Sequence, residues 1–120
     1  MRLSDAQQER YARHLLLDGI EGEGQERLLA SSVRVRGTGR AAWACALYLA
    51  AAGVGALAVE GGEADRELSA SSPDLRLLGD ADPVDLEIAP ADPAGSGPAE
   101  AAAAGAWAAL ETVRALAGRR

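Results

Sequence analysis

The stretch RVRGTGRAAWACALYLAAAGVG, residues 34–55, decides the fold. Val33 to Arg36 alternates apolar and charged residues, the two-residue period of a strand. Gly37 to Gly39 supply a tight turn, and a helix follows to about Ala52, where Gly53 can take the left-handed conformation that stops it. Gly37-Thr38-Gly39-Arg40-Ala41-Ala42 fits the relaxed G-x-G-x-x-G/A pattern. The first glycine permits the turn, the second lets backbone approach a phosphate, and the last position needs only a small residue. The N-terminus of the helix offers free N–H groups to an anion. Ala56 to Val59 reads as the next strand, with Glu60 near the separation at which an acidic residue binds a ribose. Small-residue turns also serve helix–strand packing alone, so the pattern by itself leaves both roles open.

Outward from this unit, Ser4 and Gln7 form a capping-box pattern that opens a helix over residues 5–17, ended by Asp18-Gly19. A short second helix is expected from about Gly24 to Ala30. Residues 63–82 are polar and read mostly as loop, and Val84 to Ile88 alternates as a third strand. APADPAGSGP, residues 89–98, is a turn region. Pro98 starts an alanine-rich helix through about Ala117, stopped by Gly118, with Trp107, Leu110, Val113 and Leu116 expected to face inward. The chain is thus one domain over residues 1–120. Its parts are a helical segment (1–32), a β-α-β glycine-turn unit (33–62), a loop-rich stretch with one strand (63–97) and a final helix (98–118).

The strands carry charge on alternate positions, whereas a parallel sheet covered on both faces reads as continuous apolar runs. The expected fold is therefore α/β with a short, mostly parallel sheet and helices chiefly on one face. Arg34 and Arg36 would pair with Asp85 and Glu87 across the other face. The helix containing Trp43, Leu47 and Tyr48 is apolar on every side, and something beyond a two-layer protomer is expected to cover it.

Composition excludes several chemistries. The net charge is −6, against nucleic acid or an anionic membrane as partner. All 12 basic residues are arginine, which removes any Walker-type, Schiff-base or general-base lysine. The single cysteine, Cys45, and single histidine, His14, allow neither an internal disulfide nor a Cys/His metal cluster, and no metal site is expected. No signal peptide or comfortable membrane span is read, so the cytoplasm is expected.

LSDAQQERYARHLLLDGIEGEGQERLLASSVRVRGTG (residues 3–39) and LYLAAAGVGALAVEGGE (47–63) resemble the opening of E1-like activating enzymes of the ThiF/MoeB/HesA group. More weakly, the alanine-rich final helix resembles a late helix of that group. The resemblance implies a Rossmann-like E1/ThiF-type domain. It also implies adenylation of a ubiquitin-like or sulfur-carrier protein with ATP and magnesium, carried out by a dimer. On it, Gly37 and Gly39 match the phosphate turn, Glu60 the ribose binder, and Arg13 an arginine that reaches the partner's nucleotide. The departures are large. Arg40 stands where small backbone is expected, and Gly62 replaces a second acid. The family's Ser-Asn-Leu-x-Arg-Gln segment and phosphate lysine have no counterpart, and its magnesium aspartate is read as missing. The expectation is a truncated, degenerate member with no catalytic residues, a vestigial nucleotide site and weak ATP binding at most. It would act as a homodimer, or as the binding or scaffolding partner of an E1-like enzyme or carrier protein. A minimal nucleotide-binding module and a purely structural self-assembly are the alternatives.

Overall fold

The computed structural model describes residues 22–60, 67–70, 72 and 74–118. The helix read over residues 5–17, with Arg13 and His14, lies outside these, as does Gly62. Helix α1 (Gly22–Leu29) leads into β1 (Ser32–Val35), α2 (Arg40–Ala52) and β2 (Ala56–Val59). After one helical turn at residues 67–70 come β3 (Arg76–Leu77), β4 (Leu86–Ile88) and α3 (Pro98–Ala117). The four strands form one parallel sheet in the order β3-β2-β1-β4.

Neighbouring parallel strands need a crossover, and α2 supplies it between β1 and β2. Gly53 ends α2 in the left-handed region at φ 109°, its N–H and that of Val54 donating to the last carbonyls of the helix. The next turn is tight: a Cβ at Gly55 would lie only 1.8 Å from the Leu29 carbonyl oxygen. Arg27 donates to the Ala117 carbonyl at 2.6 Å, tying α1 to the end of α3.

The register Val33↔Leu57 and Val33↔Leu86 puts the aliphatic residues of three strands on one face. Cys45, Leu49, Leu68, Val113 and Leu116 join them in a single core. The helices therefore cover one face, as the alternation predicts. The opposite face carries Arg34, Arg36 and Glu87, and it is not open. The connection from β3 back to β4 crosses it, and Arg34 donates to the carbonyls of Gly79 and Asp82 in that strap.

Several expectations need correction. The stretch read as loop contains β3, whose two residues are too few to show a period. The last strand starts at Leu86 rather than Val84. Glu87 meets both arginines, but Asp85 accepts the Ser32 N–H at 2.9 Å instead. Trp107, expected to face inward, is 61% exposed, while Tyr48, on the helix expected to need cover from outside the protomer, is 57% exposed in keeping with that expectation. Alanine and glycine explain both. Gly105 lies against Ala41 and Ala44, so the helices approach too closely for a large ring between them. Helix α2 is apolar all round, yet its buried residues are alanines, Cys45 and Leu49, and Tyr48 remains outside.

Candidate functional site

The glycine turn sits where β1 ends and α2 begins, at the carboxyl ends of the strands, where parallel α/β sheets bind their ligands. Gly37 has φ 111°, a conformation L side chains rarely adopt, so the first glycine of the pattern is required by the backbone. Gly39 is the N-cap of α2 and has no side chain to cap it. A cleft of about 300 Å³ opens beside the turn, lined by Val35, Gly37, Thr38, Gly39, Trp43 and Glu60. The structure thus brings three of the four sequence-predicted site residues together: Gly37, Gly39 and Glu60. The fourth, Arg13, lies outside the described residues.

Glu60 is placed by the β1–β2 register, Val35 pairing with Val59. Its Oε2 accepts the Gly37 N–H at 3.1 Å, and Oε1 lies 3.9 Å from the Arg36 guanidinium. The acid expected to bind a ribose is thereby engaged with the turn itself.

A second acid stands at the turn, and the sequence reading missed it. Asp92 Oδ1 accepts the Ala41 N–H at 2.8 Å, one of the free donors at the start of α2. The carboxylate also fills the space above Gly39, where a Cβ would come within 2.9 Å of Oδ1. The cause is topological. Helix α2 leaves β1 at the sheet's carboxyl end, and β4 pairs with β1 in parallel, Arg36 N–H donating to the Ile88 carbonyl at 2.8 Å. The chain leaving β4 must therefore pass over the turn. The signal available in the sequence was an acid four residues beyond a strand adjoining the glycine turn, and it depended on the strand order.

The donors of the turn have acceptors within the chain. Backbone N–H groups of Gly37 and Ala41 are already held by carboxylates. Glu60 and Glu67 both line the cleft, and like charge beside an anion disfavours its binding. The chain has no lysine to offset them. Among the described residues there is no group of three or more His, Cys, Asp or Glu placed to hold a metal ion, and no helix long and apolar enough to cross a membrane. Cys45, on the buried side of α2 itself, has its thiol pushed up to about 11 by burial, so it is not a thiolate nucleophile at neutral pH.

No family model matches the chain. Over 57 residues it is 47% identical to a probable molybdopterin-synthase adenylyltransferase of Gracilaria tenuistipitata var. liui, covering 48% of this chain and 16% of that protein. Over 48 residues it is 52% identical to the sulfur carrier protein ThiS adenylyltransferase of Escherichia coli, covering 40% and 19%. The chain thus spans less than a fifth of the length of these two relatives. Its fold superposes on the crystal structure of E. coli tRNA N6-threonylcarbamoyladenosine dehydratase, TcdA, with a TM-score of 0.61 at 16% identity, covering 78% of this chain and 54% of that one. Over about half its length the chain is thus similar in sequence to adenylyltransferases of the E1-like ThiF/MoeB/HesA group, and its glycine turn and parallel sheet share the fold of TcdA.

Proposed function

We propose that this chain is a non-adenylating E1-like module that acts as a binding or scaffolding partner. Its associates would be a second copy, a full-length E1-like enzyme, or the ubiquitin-like or sulfur-carrier protein such an enzyme serves. The observation that carries this reading is the state of the turn, whose Gly37 and Ala41 N–H groups are taken by Glu60 and Asp92. Adenylation requires phosphate charge to be neutralised by preorganised donors and cations, and losing one such donor costs about 2.7–4 kcal/mol of transition-state stabilisation. Here two backbone donors are engaged and the lysine is absent, so several such losses coincide. We place the module in the cytoplasm.

The test is carrier-dependent ATP–pyrophosphate exchange with the isolated protein, followed by the same assay after adding an E1-like enzyme of the native cell. No exchange alone and a stable complex with the enzyme or its carrier are expected. Exchange clearly above background by the isolated chain would overturn the reading. A minimal nucleotide-binding role remains the second reading, favoured by the 300 Å³ cleft beside the turn and by Trp43 on its wall.

A further inference from the structure

We propose that the buried carboxamide of Gln25 is the docking point for the segment that precedes α1, pairing with peptide groups of residues 14–21 of the same chain. Gln25 has no solvent exposure, although glutamine is mostly a surface residue. Neither its Oε1 nor its Nε2 has a hydrogen-bond partner among the described residues. A buried donor or acceptor left alone carries its full desolvation penalty, so such groups are almost always bonded. The carboxamide brings two donors and one acceptor, and all are unspent. Its neighbours are paired. Ser31 Oγ donates to the Arg27 carbonyl at 2.6 Å, and Arg27 in turn donates to the Ala117 carbonyl of α3.

Reach, chemistry and the lack of a rival select the occupant. Residues 18–21 join α1 directly, and so short a connection spans at most about 14 Å. Gln25 sits within the first turn of α1, so the connection stays beside it. A group on such a tether is supplied at an effective concentration in the millimolar range or above. The helix read over residues 5–17 lies outside the described residues, and the last four carbonyls of any helix lack partners within it. Those belong to residues 14–17, and the peptide groups of 18–21 follow them. A peptide group carries one donor and one acceptor, which a carboxamide matches together. An internal water is the rival, but it makes about three hydrogen bonds. Apart from Gln25, the unpartnered buried side-chain atom among the described residues is Arg34 Nε, on the opposite face of the sheet.

This inference goes beyond the binding-module reading, which exchange and complex formation test separately. The carboxamide can be watched directly in the full chain, because there is no asparagine and the other glutamines are Gln7 and Gln8. Nuclear magnetic resonance of isotope-labelled wild type measures the exchange of each side-chain NH2 group with water and its through-space contacts. The Gln25 NH2 protons are expected to exchange roughly tenfold or more slowly than those of Gln7 and Gln8, as buried bonded groups do. They are also expected to show contacts to protons of residues 14–21. Gln25→Leu keeps the bulk and removes the hydrogen bonds. It is expected to speed backbone amide exchange within residues 14–21 while leaving that of α2 unchanged. If Gln25→Leu does not fold, the wild-type contacts decide. Contacts to water alone would make the partner an internal water, and contacts to described residues alone would place it within the core; either overturns the proposal. Contacts seen between differently labelled copies would assign the segment to a second chain, and also overturn it. So would unchanged exchange at residues 14–21 in folded Gln25→Leu.

Discussion

Arg34 and Glu87 stand directly opposite one another in the β1–β4 ladder, with Nη1 and Oε1 3.5 Å apart. The arginine side chain is 13% exposed and the glutamate 48%. The same guanidinium donates to the carbonyls of Gly79 and Asp82. A guanidinium holds five N–H donors in a fixed plane and can serve a carboxylate and two carbonyls at once, where an ammonium has only three donors. Arg34 thus does with hydrogen bonds what an apolar residue beneath a helix does in a doubly wound sheet.

Arg34→Ala is expected to destabilise the fold by about 1–3 kcal/mol, because two carbonyls of the strap lose their donor. Arg36→Ala should stay within about 0.5 kcal/mol, since its partners are exposed and such ion pairs contribute little. Urea denaturation of both variants makes the comparison. A larger effect at Arg36 than at Arg34 would show that the strap is not held by the arginine.

Gly105→Ala tests the contact between α2 and α3. A Cβ there would lie 2.1 Å from the Ala41 carbonyl oxygen and 3.0 Å from the Ala44 Cβ. Alanine gains about 1 kcal/mol in helix propensity over glycine, yet forcing two backbones apart costs about 1–3 kcal/mol and can cost more. The clash is with backbone, so the overall change is expected to be destabilising. Because the Ala41 N–H also donates to the Asp92 carboxylate, its amide resonance should move in this variant.

Cys45 gives a pH dependence with a definite sign. Burial raises its thiol from 9.0 to about 11, so the folded state disfavours the thiolate relative to the unfolded chain. Its contribution to stability is full below about 9 and is lost as the pH rises from there towards about 11. Native protein at pH 8 should leave an aromatic disulfide reagent unreacted over minutes, and denaturant should release one equivalent of thiol. Rapid native reaction would mean that α2 opens locally.

If the second copy of the proposed function covers the outer side of α2, Tyr48 is the informative position. It is exposed in the protomer, so Tyr48→Glu should preserve far-ultraviolet circular dichroism and melting behaviour of the monomeric fold. Sedimentation at micromolar concentration should show wild type as a dimer and the variant as a monomer. A monomeric wild type would remove self-association from the proposed function.

The β1-turn-α2-β2 unit is legible because each boundary has its own chemical mark. Alternation marks β1, the paired glycines mark the turn, and Gly53 marks the end of α2. Glycine at 37 and Glu60 were legible for the same reason, being fixed by local geometry. Asp92 was not, because its role follows from β4 lying beside β1, a fact of strand order that no local pattern states. Trp107 misled through side-chain apolarity, whereas Tyr48 lies exposed as the uncovered helix reading expected. Close approach of α2 and α3 at Gly105 rewards small residues inside and leaves the rings at the surface.

The register also sets an order of assembly. Val33 pairs with Leu57 through a short excursion of chain, and with Leu86 only after a much longer one. Closing a longer loop sacrifices more chain entropy, so β1, α2 and β2 can come together before β4 docks. Until it does, the amides at the head of α2 face solvent. Asp92 arrives with the last strand, and the act that completes the sheet is the one that seals the turn.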